Sequence, residues 1–251
     1  FGTGKDELPD DFNNLSEMFL SNGFTYDFIS DRQIQKLTSS NKKIISNNYS
    51  EYKTIIIPYC SYIPLNTIQK LIKLAESGAT IIFHKDFPED VPGLYNLEYR
   101  QKIYREIKNK LKFISKGNYL VCNVGEGRII KVDDIESILN EIKIYPEQMA
   151  KIGLWFNRIN RKDGICYFIN NWTENEINQW IKVCASGKDA VWFNPMNKQI
   201  GKASVRNLGD GSEVFIQLKK GETLILQWYP EKINIDNYKF YDKTENEIIL
   251  D

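Results

Sequence analysis

An α/β layer followed by an all-β sandwich or jelly roll is the fold class this sequence predicts, on three observations. A buried strand, an amphipathic helix and a second buried strand follow one another over residues 53–84. Up to about Tyr145, helix-period and strand-like segments alternate. From about Ile152 the pattern changes to short strands separated by turn residues. The domains read as 1–149 for the α/β layer, 150–230 for the β-sandwich, and 231–251 for a tail or lead-in to a further domain.

Each element has its own signal. Asp10-Asp11 open a helix through Phe12, Leu15, Met18, Phe19 and Leu20 that ends at Gly23, acidic at its start and glycine-stopped. Tyr26–Ile29 reads as a short strand, Ile34 and Leu37 as a helical turn, and Lys42–Ser46 as another strand. Ile55-Ile56-Ile57 is an apolar run of the kind a fully buried parallel strand needs. Ile68, Leu71, Ile72 and Leu74-Ala75 then recur at helical spacing until Gly78, and Ile81-Ile82-Phe83 is a second buried run. That is a β-α-β unit. A Pro-containing loop (Phe87–Gly93), a basic helix from about Asn96 to Phe113, a strand at Tyr119–Val124 and a helix through Ile135, Ile138, Leu139 and Ile142 follow. Strand and helix in alternation predict a doubly wound, flavodoxin-like layer.

The second half reads LWFNRIN, ICYFIN, INQWIKVCA, AVWFN, GKASVRN, EVFIQL and TLILQW in succession. Lys162-Asp163-Gly164, Ser186-Gly187-Lys188, Asn194-Pro195, Gly209-Asp210-Gly211 and Lys220-Gly221 separate these strands. Short strands with such turns between them predict two packed sheets. One more strand is expected at Tyr238–Tyr241.

Composition narrows the function classes. Apolar content of 42% and aromatic content of 13% in 251 residues support well-packed cores. Thirty-three basic and thirty-three acidic residues cancel, so nothing global points to nucleic acid or an anionic membrane. No apolar run approaches the roughly 20 residues of a membrane span. The chain opens at Phe1, and is expected to be a mature or excised piece of something longer. With one histidine and no paired cysteines, a zinc site is not expected, and no cofactor is predicted. Cys60, Cys122, Cys166 and Cys184 read as thiols or as a late disulfide; their spacing does not decide it.

Ligand sites in open α/β sheets lie at the carboxyl ends of the strands. Here those ends carry Cys60-Ser61 and His84-Lys85. Cys60 with His84 is a candidate thiol–imidazole pair, and Ser61 a neighbouring nucleophile. A nucleophile elbow needs small residues on both sides, whereas Cys60 is flanked by Pro58-Tyr59 and Ser61-Tyr62. Core cysteine and hydrogen-bonded histidine are the structural readings of the same residues. Gly125-Glu126-Gly127 lacks the third glycine of a dinucleotide fingerprint and leads into strand-like Arg128–Val132. Gly2-Thr3-Gly4-Lys5 resembles a phosphate loop but continues with Asp6. Both read as turns. Asp6, Glu7, Asp10 and Asp11 form an acidic cluster that could hold calcium or simply complement a helix dipole. Among the tryptophans, Trp155, Trp192 and Trp228 read as core. Trp172, beside Asn170-Asn171, is the candidate exposed platform for a sugar.

The segments PDDFNNLSEMFLSNGFTYDFISDRQIQ, YKTIIIPYCSYIPLNTIQKLIKLAESGATIIF, WFNRINRKDGICYFINN and DAVWFNPMNKQIGKA occur in that order across most of residues 8–229. This order resembles the downstream portion of large bacterial glycoside hydrolases of the α-L-rhamnosidase type, family 106. Two departures are Asn157 before Arg158, where those proteins often carry His, and Asn197-Lys198 in place of Thr-Gly. The resemblance implies an α/β layer similar to a class I glutamine amidotransferase or a β-galactosidase trimerisation domain, then a β-sandwich. It implies that the catalytic carboxylates belong to an upstream barrel, and none is assigned here. The partners implied are that barrel and other domains of the same polypeptide, with carbohydrate as a further one. The parent is expected to be secreted or periplasmic, and this region to be accessory and inactive. The alternatives are a carbohydrate-binding module using the aromatic β face and, behind it, a Cys60-dependent amidotransferase-like enzyme.

Overall fold

The computed structural model describes residues 9–46, 50–161, 163–209 and 211–241. The Gly2–Lys5 stretch, Asp6, Glu7 and the Ile248–Asp251 end of the tail lie outside the described residues. The chain divides into two compact units, Phe1–Glu17 with Tyr26–Tyr145, and Met18–Thr25 with Pro146–Asp251.

Helix α1 (Asp10–Asn22) begins in the first unit, where its first turn carries Asp10 and Asp11 against the positive end of the helix dipole. The short helix α2 (Asp31–Ile34) is held by a capping box between Ser30 and Gln33. Strands β1 (Thr38–Ser40), β2 (Lys43–Ser46) and β3 (Ser50–Tyr52) make a small antiparallel sheet. Then come β4 (Thr54–Ile57), α3 (Leu65–Glu76) and β5 (Thr80–His84). β4 and β5 pair in parallel, so the β-α-β unit forms as its periodicity predicts. Helix α4 (Leu97–Lys110) leads to β6 (Ile114–Lys116), β7 (Tyr119–Val124), β8 (Gly127–Val132) and helix α5 (Ile135–Glu141). Ile68, Leu71, Ile81 and Ile129 are fully buried at the centre of this core.

The flavodoxin-like, amidotransferase-like layer expected from the sequence is not what forms. The sheet runs in the order β4-β5-β8-β7-β6. Only β4, β5 and β8 are parallel, while β7 and β6 pair antiparallel. A doubly wound layer needs a crossover helix after each strand. Instead, two-residue turns at Gly117-Asn118 and Gly125-Glu126 join β6 to β7 and β7 to β8, and turns this short join antiparallel strands. Tyr26–Ile29 is likewise not a strand. Its aromatic rings dock locally, Phe28 stacking on Phe12 at 5.0 Å and Tyr26 meeting Phe28 edge-on at 5.4 Å. Among the described residues no helix is long and apolar enough to cross a membrane.

In the second unit a 3-10 helix (Gln148–Ile152) precedes β9 (Leu154–Arg161), β10 (Gly164–Asn171), β11 (Ile177–Val183) and β12 (Asp189–Phe193). β13 (Ile200–Lys202), β14 (Val205–Leu208), β15 (Gly211–Leu218) and β16 (Thr223–Tyr229) complete it. One antiparallel sheet has the order β13-β12-β16-β10-β9 and the other β11-β15-β14. Tyr167, Ile169, Leu226, Trp192 and Trp228 from the first sheet share one core with Ile181, Val214 and Ile216 from the second. Tyr238–Tyr241 forms no strand; the chain there only bridges Lys202 at Asn237.

Candidate functional site

At the carboxyl ends of β4 and β5, polar groups converge on one carboxylate. Asp11 Oδ2 accepts from the Tyr59 backbone N–H at 2.6 Å and lies 2.8 Å from His84 Nδ1. Asp11 Oδ1 accepts from Lys85 Nζ at 2.7 Å. The other ring nitrogen of His84 faces the Asp133 carbonyl at 3.1 Å. Burial alone would push the Asp11 carboxyl up, but the hydrogen bonds from Lys85, His84 and Tyr59 N–H outweigh it and hold it below the usual range. Lys85 takes a left-handed backbone (φ +63°) and sends its ammonium over the Tyr59 ring, 5.6 Å from the centroid.

Among the described residues His84 makes no hydrogen bond to Cys60. Both nitrogens of the single histidine face oxygen acceptors. Burial pushes the Cys60 thiol up, and the charges of Asp31 and Asp11 push it further the same way. An activated cysteine needs a pKa shifted down. The backbone carbonyl of Ser61 accepts from the N–H groups of Glu89 and Asp90 at 2.9 and 3.2 Å, which holds the following loop. A shallow cavity of about 260 Å³ does lie at these strand ends, lined by Lys85, Ser115, Asn118, Lys131 and Asp133 among others. Both its lysines are already paired, Lys85 with Asp11 and Lys131 with Asp86 at 2.6 Å. Of the acidic cluster, Asp10 and Asp11 fall in the first turn of α1. No group of three or more His, Cys, Asp or Glu is placed to hold a metal among the described residues.

The second unit has a carboxylate hub that the sequence reading missed. Glu147, only 1% exposed, accepts at Oε1 from Arg158 Nη1 at 2.8 Å and from the Tyr167 hydroxyl at 2.7 Å. At Oε2 it accepts from the Cys184 backbone N–H at 2.8 Å. Arg158 also donates to Thr25 Oγ1 at 2.6 Å. Burial, then the negative charge of Glu147, pushes the Tyr167 phenol far up, so it acts as a permanent donor. Arg158 and Tyr167 both belong to the WFNRINRKDGICYFINN segment. The same segment supplies Asn171, buried, whose Nδ2 donates to the Asn175 and Leu218 carbonyls at 2.8 and 3.1 Å. Its Oδ1 accepts from Thr173 N–H at 3.0 Å and the Thr173 hydroxyl at 2.7 Å. Gly164 has φ +132°, and a Cβ there would fall 1.8 Å from the Trp228 carbonyl oxygen, which glycine alone avoids. Arg158, Tyr167, Gly164 and Asn171 of this segment therefore help to build the sandwich.

Tryptophan placement departs from the alternation-based reading at one position. Trp192 and Trp228 are buried, and Trp172 is 73% exposed. Trp155, expected in the core, is 57% exposed, because Leu154 and Phe156 take the inward positions of β9. Parity along the strand carried that signal, but the run Leu154-Trp155-Phe156 masks it.

The fold is that of a β-rich segment found in glycoside hydrolase structures. It is similar to part of the rhamnosidase from Novosphingobium sp. PP1Y, with 19% identity and a TM-score of 0.69 over 88% of this chain. It is also similar to part of the beta-galactosidase from Bacillus circulans sp. alkalophilus, with 11% identity and a TM-score of 0.51 over 90% of this chain. Gan42B, a GH42 beta-galactosidase from G. stearothermophilus, matches in the form of a catalytic mutant at 13% identity and a TM-score of 0.50 over 91% of this chain. The chain spans 21% of the length of the rhamnosidase, 39% of the first beta-galactosidase and 37% of the second. No match is found among curated protein sequences. The sequence model of the alpha-L-rhamnosidase family, glycoside hydrolase family 106, matches residues 7–207, and the chain belongs to that family.

Proposed function

We propose that this chain is an accessory, non-catalytic region of an α-L-rhamnosidase-type glycoside hydrolase, which supports the catalytic barrel or the assembly of its parent. The observation that carries this reading is the state of the polar groups at the strand ends. His84 is engaged by Asp11 and Asp133, Lys85 by Asp11, and the Cys60 thiol is pushed away from its reactive form. A glycosidase of the common type needs two carboxyl groups flanking a substrate cleft, one of them held protonated. Asp11 is instead held ionised by three donors, and Glu147 is enclosed by Arg158, Tyr167 and the Cys184 amide. Its partners on this reading are the barrel and the other domains of the same polypeptide. An assay of the purified chain on aryl α-L-rhamnosides tests it. No turnover above buffer is expected, and turnover that co-purifies with the chain would overturn it.

A further inference from the structure

The outward face of the strand pair β9–β10 carries three uncharged cross-strand rows, followed at the turn by Arg161 opposite Gly164, whose guanidinium pairs with Asp163 at 3.2 Å. Trp155 pairs with Asn170, which pairs with Thr223 of β16. Asn157 pairs with Phe168, which pairs with Ile225. Ile159 pairs with Cys166, which pairs with Gln227. Amides and a hydroxyl thus alternate with aromatic and aliphatic groups, and none of these nine positions is charged. Trp155 is 57% exposed, Ile159 56% and Phe168 49%. Trp172, two residues beyond Asn170, extends the aromatic series past the strand end. Asn170 donates from Nδ2 to the Thr223 hydroxyl at 2.7 Å and its Oδ1 is buried, so the solvent-facing amide of the strip is that of Asn157.

From this we infer that the strip Trp155–Asn157–Phe168–Asn170–Trp172 is a binding surface for a neutral oligosaccharide. Sugar rings present apolar C–H faces to flat aromatic groups and hydroxyls to amides, and the strip offers both in alternation. Its extent also selects a small ligand. One strand spacing by four residues spans about 5 by 13 Å, room for about two sugar rings in line. A stable protein interface needs roughly 800 Å² from each partner. The strip is bounded across the sheet, where Gln227 and Val191 are buried. Uncharged glycans are selected over acidic ones, because the three rows hold no cation and Arg161 beyond them is already paired with Asp163.

This inference rests on the reading of the parent as carbohydrate-active, but it is tested separately from the absence of catalysis. The 251-residue chain is titrated calorimetrically with a neutral β-(1→4)-galactohexaose, a neutral α-L-rhamnose-capped oligosaccharide and an oligogalacturonate of equal length. Saturable binding of a neutral probe is expected, weakened about tenfold or more by Trp155→Ala. Asn170→Ala should weaken it less, and Tyr95→Ala, an exposed aromatic of the first unit, should leave it unchanged. Circular dichroism melting of each variant confirms the fold, since Trp155 contributes little to the core. Four results would overturn the inference. They are no saturation by either neutral probe at about 20 mM, binding that survives Trp155→Ala, equal affinity for the acidic probe, and self-association abolished by Trp155→Ala. Hydrolysis of a probe in the same vessel would instead overturn the accessory reading and leave the strip intact.

Discussion

Asp11 and Glu147 are both carboxylates that gather three donors, yet they do different work. Asp11 sits at a strand-end rim, its side chain 11% exposed, with Lys85 half in solvent and His84 beside it. Glu147 lies inside the second unit, bound by Arg158, Tyr167 and the Cys184 amide. Water screens the first cluster, because its cation Lys85 is half exposed and solvent can take its place. The second has no such substitute, so each of its donors depends on the carboxylate. The comparison teaches that convergence of polar groups does not by itself mark an active site. At the rim the groups neutralise one another; in the core they fix how β9 and β10 meet the chain before them.

The largest effect should come from Glu147→Ala, which strands Arg158, the Tyr167 hydroxyl and the Cys184 N–H. A loss of about 3–5 kcal/mol is expected in urea unfolding. A loss under about 1 kcal/mol would mean that water replaces the carboxylate and that the two hubs are alike after all. Tyr167→Phe removes a single donor from the same oxygen and should cost about 1–3 kcal/mol, with Arg158 and the Cys184 amide still in place.

Asp11→Asn should cost less, about 1 kcal/mol near neutral pH, and its effect should depend on acid. The folded carboxyl titrates below its ordinary value of 3.8. Its contribution is therefore complete above that value and disappears as the pH falls through the lower folded value. Stability curves of the parent chain and Asp11→Asn should accordingly converge in strong acid. Curves that stay parallel would show that Asp11 acts through packing and not through charge. The smallest effect concerns chemistry: Cys60 should label with a maleimide more slowly than a free thiol at pH 8, read by peptide mass mapping. Fast labelling would reopen the thiol as a reactive group.

The sequence made some of this legible and concealed the rest. The β4-α3-β5 unit was readable because Ile55–Ile57 and Ile81–Phe83 are short apolar runs around an amphipathic helix, a pattern set by local periodicity. The two antiparallel strands that displaced the flavodoxin-like order announced themselves only in the Gly117-Asn118 and Gly125-Glu126 turns. Gly125-Glu126-Gly127, readable as a turn, is the β7–β8 turn, and its glycines serve packing. A Cβ on Gly127 would fall 2.2 Å from the Ala79 carbonyl oxygen, so the hairpin presses on the end of α3 only with glycine there. At the site, His84 was readable as a hydrogen-bonded histidine, whereas its partner Asp11 lies 73 residues away and left no local trace.

By itself the sequence determined where most helices and strands lie, though not at Tyr26–Ile29 or Tyr238–Tyr241, because caps, turn residues and apolar period act within a few residues. It also carried the segments that place the chain in the alpha-L-rhamnosidase family. Tertiary structure alone decided that β7 and β6 run antiparallel, that Trp155 faces water, and which carboxylates are spoken for. Those outcomes depend on groups far apart in the chain meeting within hydrogen-bonding distance, and no local pattern encodes such a meeting. Glu147 shows the distinction plainly: as a letter it is one acid among thirty-three, and only the fold surrounds it with donors.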